Sequence, residues 1–316
     1  MIRRALPLFL LLACAHGQGA NPYGDWVNVK SYSFSLYTDT SSGTYKEIVG
    51  EIEALNAALV KAFFPSTEIH GIEVLLFSTP EAERKAVTAA GVPFVRPDSK
   101  PIVLTARTSA RGRDRNTSLY STPAEQQMAT ELVTRMLKAN MRNAPPWFRI
   151  GLQEYVETVE INGSLARFGH RLPRPTRELA AGRVIPLGKL IEARQSDFGG
   201  GDWRLSHRAS AWAFIHYLLG GERGTLRPRF DAMARALIDA DDGSAATSRA
   251  AIEKAFPDVP FATLEGKVHD YAVLELGQRN YFHPMTIEFT PPPERDYPTA
   301  PADPQRLRGL LAGLRR

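Results

Sequence analysis

Residues 121–157 read STPAEQQMATELVTRMLKANMRNAPPWFRIGLQEYVE, and the fold turns on how this stretch is read. Thr122-Pro123-Ala124-Glu125 opens a helix. The threonine caps, the proline takes the first helical position, and the glutamate three residues past the cap closes a capping box. Met128, Leu132, Met136 and Ala139 then recur at helical spacing, so one face of this helix is expected to be buried. Asn143-Ala144-Pro145-Pro146 interrupts it and starts a second helix, which carries Trp147, Phe148, Leu152, Tyr155 and Val156.

In this helix pair, Ala144-Pro145-Pro146-Trp147-Phe148 and Gly151-Leu152-Gln153-Glu154-Tyr155 resemble the active-site module of gluzincin-type zinc metallopeptidases. The likeness is greatest to the peptidase-MA-like domains of bacterial secreted proteins and lipoproteins. Members carry H-E-x-x-H on the first helix and a third ligand, a glutamate, opening E-G-L-A-E-Y on the second. Ser210–Leu219, SAWAFIHYLL, is similar to the S-W-A-L-V-H-Y-L segment that follows the catalytic helices there, so the resemblance spans about Trp26 to Tyr271. It implies an α+β, zincin-like fold: a small mixed sheet with helices, its edge strand bordering a cleft, followed by a mainly helical C-terminal part.

The ligand positions depart from that pattern. The H-E-x-x-H slot reads Thr130-Glu131-Leu132-Val133-Thr134, and the third-ligand slot is Ile150. Two imidazoles at i and i+4 share a helix face and bind one Zn²⁺, while the glutamate between them polarises the metal-bound water. A protonated threonine hydroxyl is a poor zinc ligand and isoleucine offers no donor. Glu131 is left without a metal to lower its water's pKa from nearly 16 to ~7, so it reads as vestigial. The expectation is no zinc and no other cofactor. Thr130 and Thr134 then read as two helix hydroxyls free to bond the carbonyl one turn back. This favours a catalytically inactive relative with a binding or scaffolding role, its cleft taking a peptide or protein partner. The alternative is an active hydrolase, through a displaced metal or through carboxylates such as Glu131 and Glu154, with Glu157 nearby. His170, His207, His216, His269 and His283 are scattered, with no pair at i, i+4 on one helix, and His216 reads as a core histidine.

The 316 residues, 43% hydrophobic and 23% charged, have the makeup of a globular chain. The net charge is +5, and without Arg3 and Arg4 it is 37 basic against 34 acidic residues. That balance argues against a nucleic-acid partner. Met1-Ile2-Arg3-Arg4 is a positive n-region and Ala5–Leu12 an apolar run too short to span a bilayer. Leu11-Leu12-Ala13-Cys14 resembles the bacterial lipobox, and Cys14 is the single cysteine. A lone thiol in an exported chain has no disulfide partner, so acylation after loss of residues 1–13 is the economical reading. Ordinary secretion through Ala13-Cys14-Ala15 is the alternative. With Ala15 next, nothing resembles an aspartate-type retention signal, so a lipid anchor in the outer membrane is expected.

The expected divisions are a tether at 14–25, an α/β layer at 26–121, a helical peptidase-like part at 122–283 and a Pro-rich tail at 284–316. The alternation from Trp26 to Thr38, with Tyr32, Phe34 and Leu36 on one side, reads as a strand. Thr44–Glu47 is a capping box before a helix burying Ile48, Ile52, Leu55, Leu59 and Phe63. Further strands are expected at Ile72–Phe77, Ile102–Thr105 and Ser118–Tyr120, with a short helix from Ser78-Thr79-Pro80-Glu81 to near Gly91 between the first two. Arg107, Arg111, Arg113 and Arg115 crowd one loop, which either binds anions or is simply solvated. Val159–Ala166 reads as a hairpin with a type I′ turn at Asn162-Gly163, and Arg171–Arg177 as a loop broken by Pro173 and Pro175. Helices follow at 187–193, 206–219, 226–240, 247–256 and 261–276. Past His283 prolines mark an extended, disordered segment, closed by a basic amphipathic helix over 305–316 with Leu307, Leu310, Leu311 and Leu314 on one face.

Overall fold

The first extended stretch folds back on itself instead of running as one strand. The computed structural model describes residues 23–64, 71–90, 101–105, 123–199, 202–279, 282–293 and 296–314. In it β1 (Val27–Lys30) and β2 (Phe34–Thr38) pair antiparallel, with Tyr32 exposed at the tip between them. The turn is fixed by a buried acid. Glu53, on α1 (Ser42–Phe63), accepts bonds from the Ser31 hydroxyl, from Ser33 N–H at 3.1 Å and from the Ser33 hydroxyl at 3.0 Å. Buried polar groups need such partners, and alternation alone gives no hint of them. The helix α1 also starts earlier than the Thr44 box, from Ser41 and without a side-chain cap bond, which turns Tyr45 and Val49 inward and leaves Ile48 and Phe63 partly buried.

The strands β2, β3 (Ile72–Phe77) and β4 (Ile102–Thr105) run parallel, joined through α1 and α2 (Pro80–Ala90). All six residues of β3 are buried, as befits a central strand covered on both faces. Its period of two sorts them cleanly. Ile72, Val74 and Leu76 join Phe34, Leu36, Ile102 and Leu104 in the main core under α1. Leu75 and Phe77 join Tyr37, Trp26 and Ala86 on the opposite face. The helix α3 (Pro123–Asn140) packs beside β4 at the sheet edge and against α1. Then come α4 (Pro146–Val156) and the hairpin β5 (Glu160–Asn162) and β6 (Leu165–Phe168). The register Asn162↔Leu165 puts Gly163 and Ser164 at the two turn positions, with only Gly163 at positive φ (59°). That is the φ pattern of a type II′ turn, with glycine at its first central position, and it replaces the expected type I′.

Arg171–Arg177 is not a loop. Pro173 and Pro175 lie in the first turn of α5 (Pro173–Ala180), where helix N–H groups lack intrahelical partners anyway, so two prolines are tolerated. The chain continues through α6 (Leu187–Glu192), a 3-10 turn (Gln195–Phe198), α7 (Asp202–Gly220), α8 (Arg227–Ala240), α9 (Ala245–Ala255) and α10 (Phe261–Asp270). The last of these runs on as a π-helical segment, Tyr271–Gln278. Trp147, Phe148 and Leu152 of α4 and Trp212, Phe214 and Leu218 of α7 share one core with Val29, Leu36 and Val74 of the sheet, so α+β describes a joined body.

The stretch beyond His283 is also ordered where it is described, which corrects the disordered tail. β7 (Met285–Glu288) pairs with β6, and β8 (Thr299–Pro301) adds to the main sheet beside β1. At that edge position a proline costs no ladder bond on its solvent side. Asp303 then caps α11 (Pro304–Ala312) by accepting from Gln305 N–H at 2.8 Å and Arg306 N–H at 3.4 Å. Leu307, Leu310 and Leu311 close the second face of the sheet against Leu75, Phe77 and Ala86. Arg306 neutralises Glu73 there, with Nη2 2.7 Å from the carboxylate. The leucine stripe packs on the protein's own sheet.

Candidate functional site

On α3 the core side is Met128, Leu132, Val133, Met136 and Leu137, while Ala139 is exposed. Thr130, Glu131 and Thr134 are half-buried. The Thr134 hydroxyl donates to the Thr130 carbonyl at 2.7 Å, the back-bond available to a helix threonine. It also accepts from Gln153 Nε2 at 2.6 Å, so a polar clasp ties α3 to α4. Ile150 is 5% exposed and belongs to the core. Hydrocarbon and a hydroxyl–amide pair therefore occupy the places where the family resemblance puts imidazole and carboxylate.

The motif residues on α4 are packing residues. Pro145 and Pro146 start the helix. Trp147 is fully buried, donates from Nε1 to Ser248 Oγ at 3.1 Å and lies against Phe148 and Phe214, with ring centroids 5.5 and 5.3 Å away. Gly151 permits close approach of α7: a Cβ there would stand 2.5 Å from the Ala211 carbonyl oxygen. Tyr155 covers Gly169, whose positive φ of 81° and contact with the tyrosine ring exclude any side chain. The Gly169 carbonyl accepts from His216 Nε2 at 2.8 Å, and His216 Nδ1 lies 2.8 Å from the Tyr271 hydroxyl. Both ring nitrogens of this fully buried histidine are thus engaged, and burial lowers its pKa to about 4. It is a core histidine, as its apolar helix suggests.

The acidic groups divide. Glu154, 5% exposed, is ion-paired with Arg208 of α7. Burial raises its pKa and Arg208 opposes the rise. Glu157, one turn on, is also raised, by burial and then by the charge of Glu154, with Arg208 again opposing. Glu131 is half-buried on α3, and Glu154 on α4 is held by Arg208. A carboxylate held by a guanidinium suits positioning better than proton transfer. Near the start of α4, half-buried Arg149 donates to Gln195 Oε1, and burial lowers its pKa.

Of the other sequence candidates, Cys14 and the loop arginines Arg107, Arg111, Arg113 and Arg115 lie outside the described residues, as does the strand expected at 118–120. His207 meets Phe198 edge-on and His170 is buried near Glu160, 3.6 Å away. Among the described residues no three His, Cys, Asp or Glu side chains are grouped to hold a metal ion, and no helix is long and apolar enough to cross a membrane. Sequence reasoning missed Gln153, Arg149, Gln195 and Arg208. A glutamate amid Ile150, Leu152, Tyr155 and Val156 does announce that a cation must meet it, but the sequence does not name Arg208, 54 residues on. No protein-family model matches this chain, and no curated protein matches it.

Proposed function

We propose that this chain is a metallopeptidase-like protein of the bacterial envelope that binds a peptide or protein partner without cutting it, tethered by lipid on Cys14. The supporting observation is the Thr134 hydroxyl, which already donates to Thr130 and accepts from Gln153. A metal there needs about three protein donors for catalysis. The nearest side chains supply one engaged hydroxyl, an amide turned the same way and a buried isoleucine. Meanwhile Trp147, Gly151 and Tyr155 keep the frame by packing, which requires no chemistry. For the hydrolase alternative, Glu154 is a weak candidate because it is already held by Arg208.

The test is to incubate the purified protein with a mixture of unstructured peptides and follow it by mass spectrometry. Peptides retained and recovered whole agree with the proposal. Cleavage that disappears in Glu131→Gln would make the chain an enzyme. For the anchor, palmitate should label the wild type and spare Cys14→Ser; equal labelling refutes it.

A further inference from the structure

Helix α4 meets solvent along one stripe only: Pro146, Arg149, Gln153 and Glu157 are partly exposed, and the residues between them are buried. Arg149, Gln153 and Glu157 are spaced four apart and so share a face. On one side of the stripe Gln153 reaches Thr134 of α3; on the other Arg149 reaches Gln195 in the 3-10 turn.

Arg149 differs from three other partly buried arginines. Arg208, Arg227 and Arg229 each face a carboxylate, from Glu154, Asp231 and Asp258. Arg149 faces the neutral amide oxygen of Gln195, and no carboxylate among the described residues pairs with it. A guanidinium carries five N–H donors in a fork shaped for a carboxylate, and among the described residues only one of them has an acceptor. Withdrawing such a cation from water without a counter-charge is unfavourable. Burial alone pulls its pKa below the ordinary arginine value, with no acidic neighbour to restore it.

We infer that Arg149 anchors a carboxylate-binding subsite, and that the carboxylate arrives on a peptide lying along the α4 stripe. The inference rests on the reading of the helix pair as a peptide-binding frame. A singly charged anion fits better than a phosphate. Arg208 of α7 is already neutralised by Glu154, and Glu157 adds a further negative charge that a dianion would meet. The neutral donors and acceptors of Gln153, Gln195 and Thr134 suit the amides of a peptide chain. Either a C-terminal carboxylate or an aspartate side chain supplies the anion.

The experiment follows the arginine Nε–H NMR signals of the full-length mature protein during titration with three probes. These are tri-alanine, tri-alanine amide, and an aspartate-containing tripeptide blocked at both ends. The Arg149 signal is identified by its loss in Arg149→Gln, and the unchanged signals of Arg208 and Arg227 certify that the variant is folded. The expected result is a shift of the Arg149 signal with tri-alanine or the aspartyl peptide, whichever carries the matching carboxylate. Binding should be at least about tenfold weaker for the amide, as loss of a charge-assisted contact implies. Arg149→Lys, which keeps the charge without the fork, should bind at an intermediate level. No shift with any probe up to about 10 mM, well above the ~1 mM scale of a minimal contact, would overturn the inference. A shift with tri-alanine amide as large as that with either carboxylate-bearing peptide would do the same. Free alanine appearing alongside the Arg149 shift would leave the subsite standing and defeat the non-cutting reading, so the two fail separately.

Discussion

Gly151→Ala should destabilise this protein, although alanine is the better helix former by about 1 kcal/mol. The added Cβ would stand 2.5 Å from the Ala211 carbonyl oxygen, 2.8 Å from Ile215 Cγ1 and 2.9 Å from the Ala211 carbonyl carbon. Ordinary contact lies at about 3.5–4.0 Å, so α4 and α7 must part by roughly 1 Å along a seam where both helices are buried. Two of the three obstructing atoms are backbone and cannot rotate away. Overpacking of this kind costs about 1–3 kcal/mol, which the gain in helix propensity offsets only in part. The net loss should be about 1–2 kcal/mol, a fall in Tm of about 2–8 °C for a domain of this size class. Urea unfolding followed by the fluorescence of buried Trp147 and Trp212 measures it, with the midpoint falling at constant slope. Gly50→Ala and Gly266→Ala are the controls, because both lie within helices and a Cβ there meets nothing within 4 Å. These should gain about 0.5–1 kcal/mol. A Gly151→Ala protein that matches or exceeds the wild type, moving with the controls, would refute the view that this glycine is a packing residue.

Burial holds His216 near pKa 4 in the folded protein against an ordinary 6.5. Between those values the unfolded chain binds more protons, so stability present above pH 6.5 is lost as the pH falls toward 4, by at most about 3 kcal/mol. Urea midpoints at pH 7 and pH 4.5 should show this slope in the wild type and a flatter one in His216→Gln; identical slopes would contradict it. Arg208→Met should cost more at pH 7 than Glu154→Gln, because it strands a buried carboxylate, a loss of about 3 kcal/mol. The Glu154 pKa is raised, so the folded state holds the proton above the ordinary glutamate value. The Arg208→Met deficit should therefore shrink as the pH falls through that window, and a deficit independent of pH would count against it. Leu307→Ala should cost about 2–4 kcal/mol by urea unfolding, since Leu307 is fully buried on the sheet, whereas a loose tail would lose nothing.

The helix pair was legible in sequence because proline punctuation and helical spacing are local properties. Pro123 and Pro146 do begin α3 and α4, and Trp147, Leu152 and Tyr155 are buried. What escaped were features decided at long range. The β1–β2 turn is held by Glu53, about 20 residues away, and the tail packs Leu307, Leu310 and Leu311 on Leu75 and Phe77, with Arg306 meeting Glu73 across 233 positions. Pro173 and Pro175 misled because a proline that ends one helix can equally open the next. At the candidate site, the identities of Thr130, Thr134 and Ile150 could be read directly. The Thr134–Gln153 clasp could not, because it depends on how two helix flanks face each other.

The most direct test is the zinc content of the protein purified from zinc-supplemented culture and dialysed against buffer, measured by elemental mass spectrometry. Far less than one zinc per chain is expected, for the wild type and for Glu131→Gln alike, because positions 130, 134 and 150 hold hydroxyls and a hydrocarbon, which are poor zinc donors. One zinc per chain that survives dialysis and is lost on replacing Thr130, Glu131 or Thr134 would contradict it.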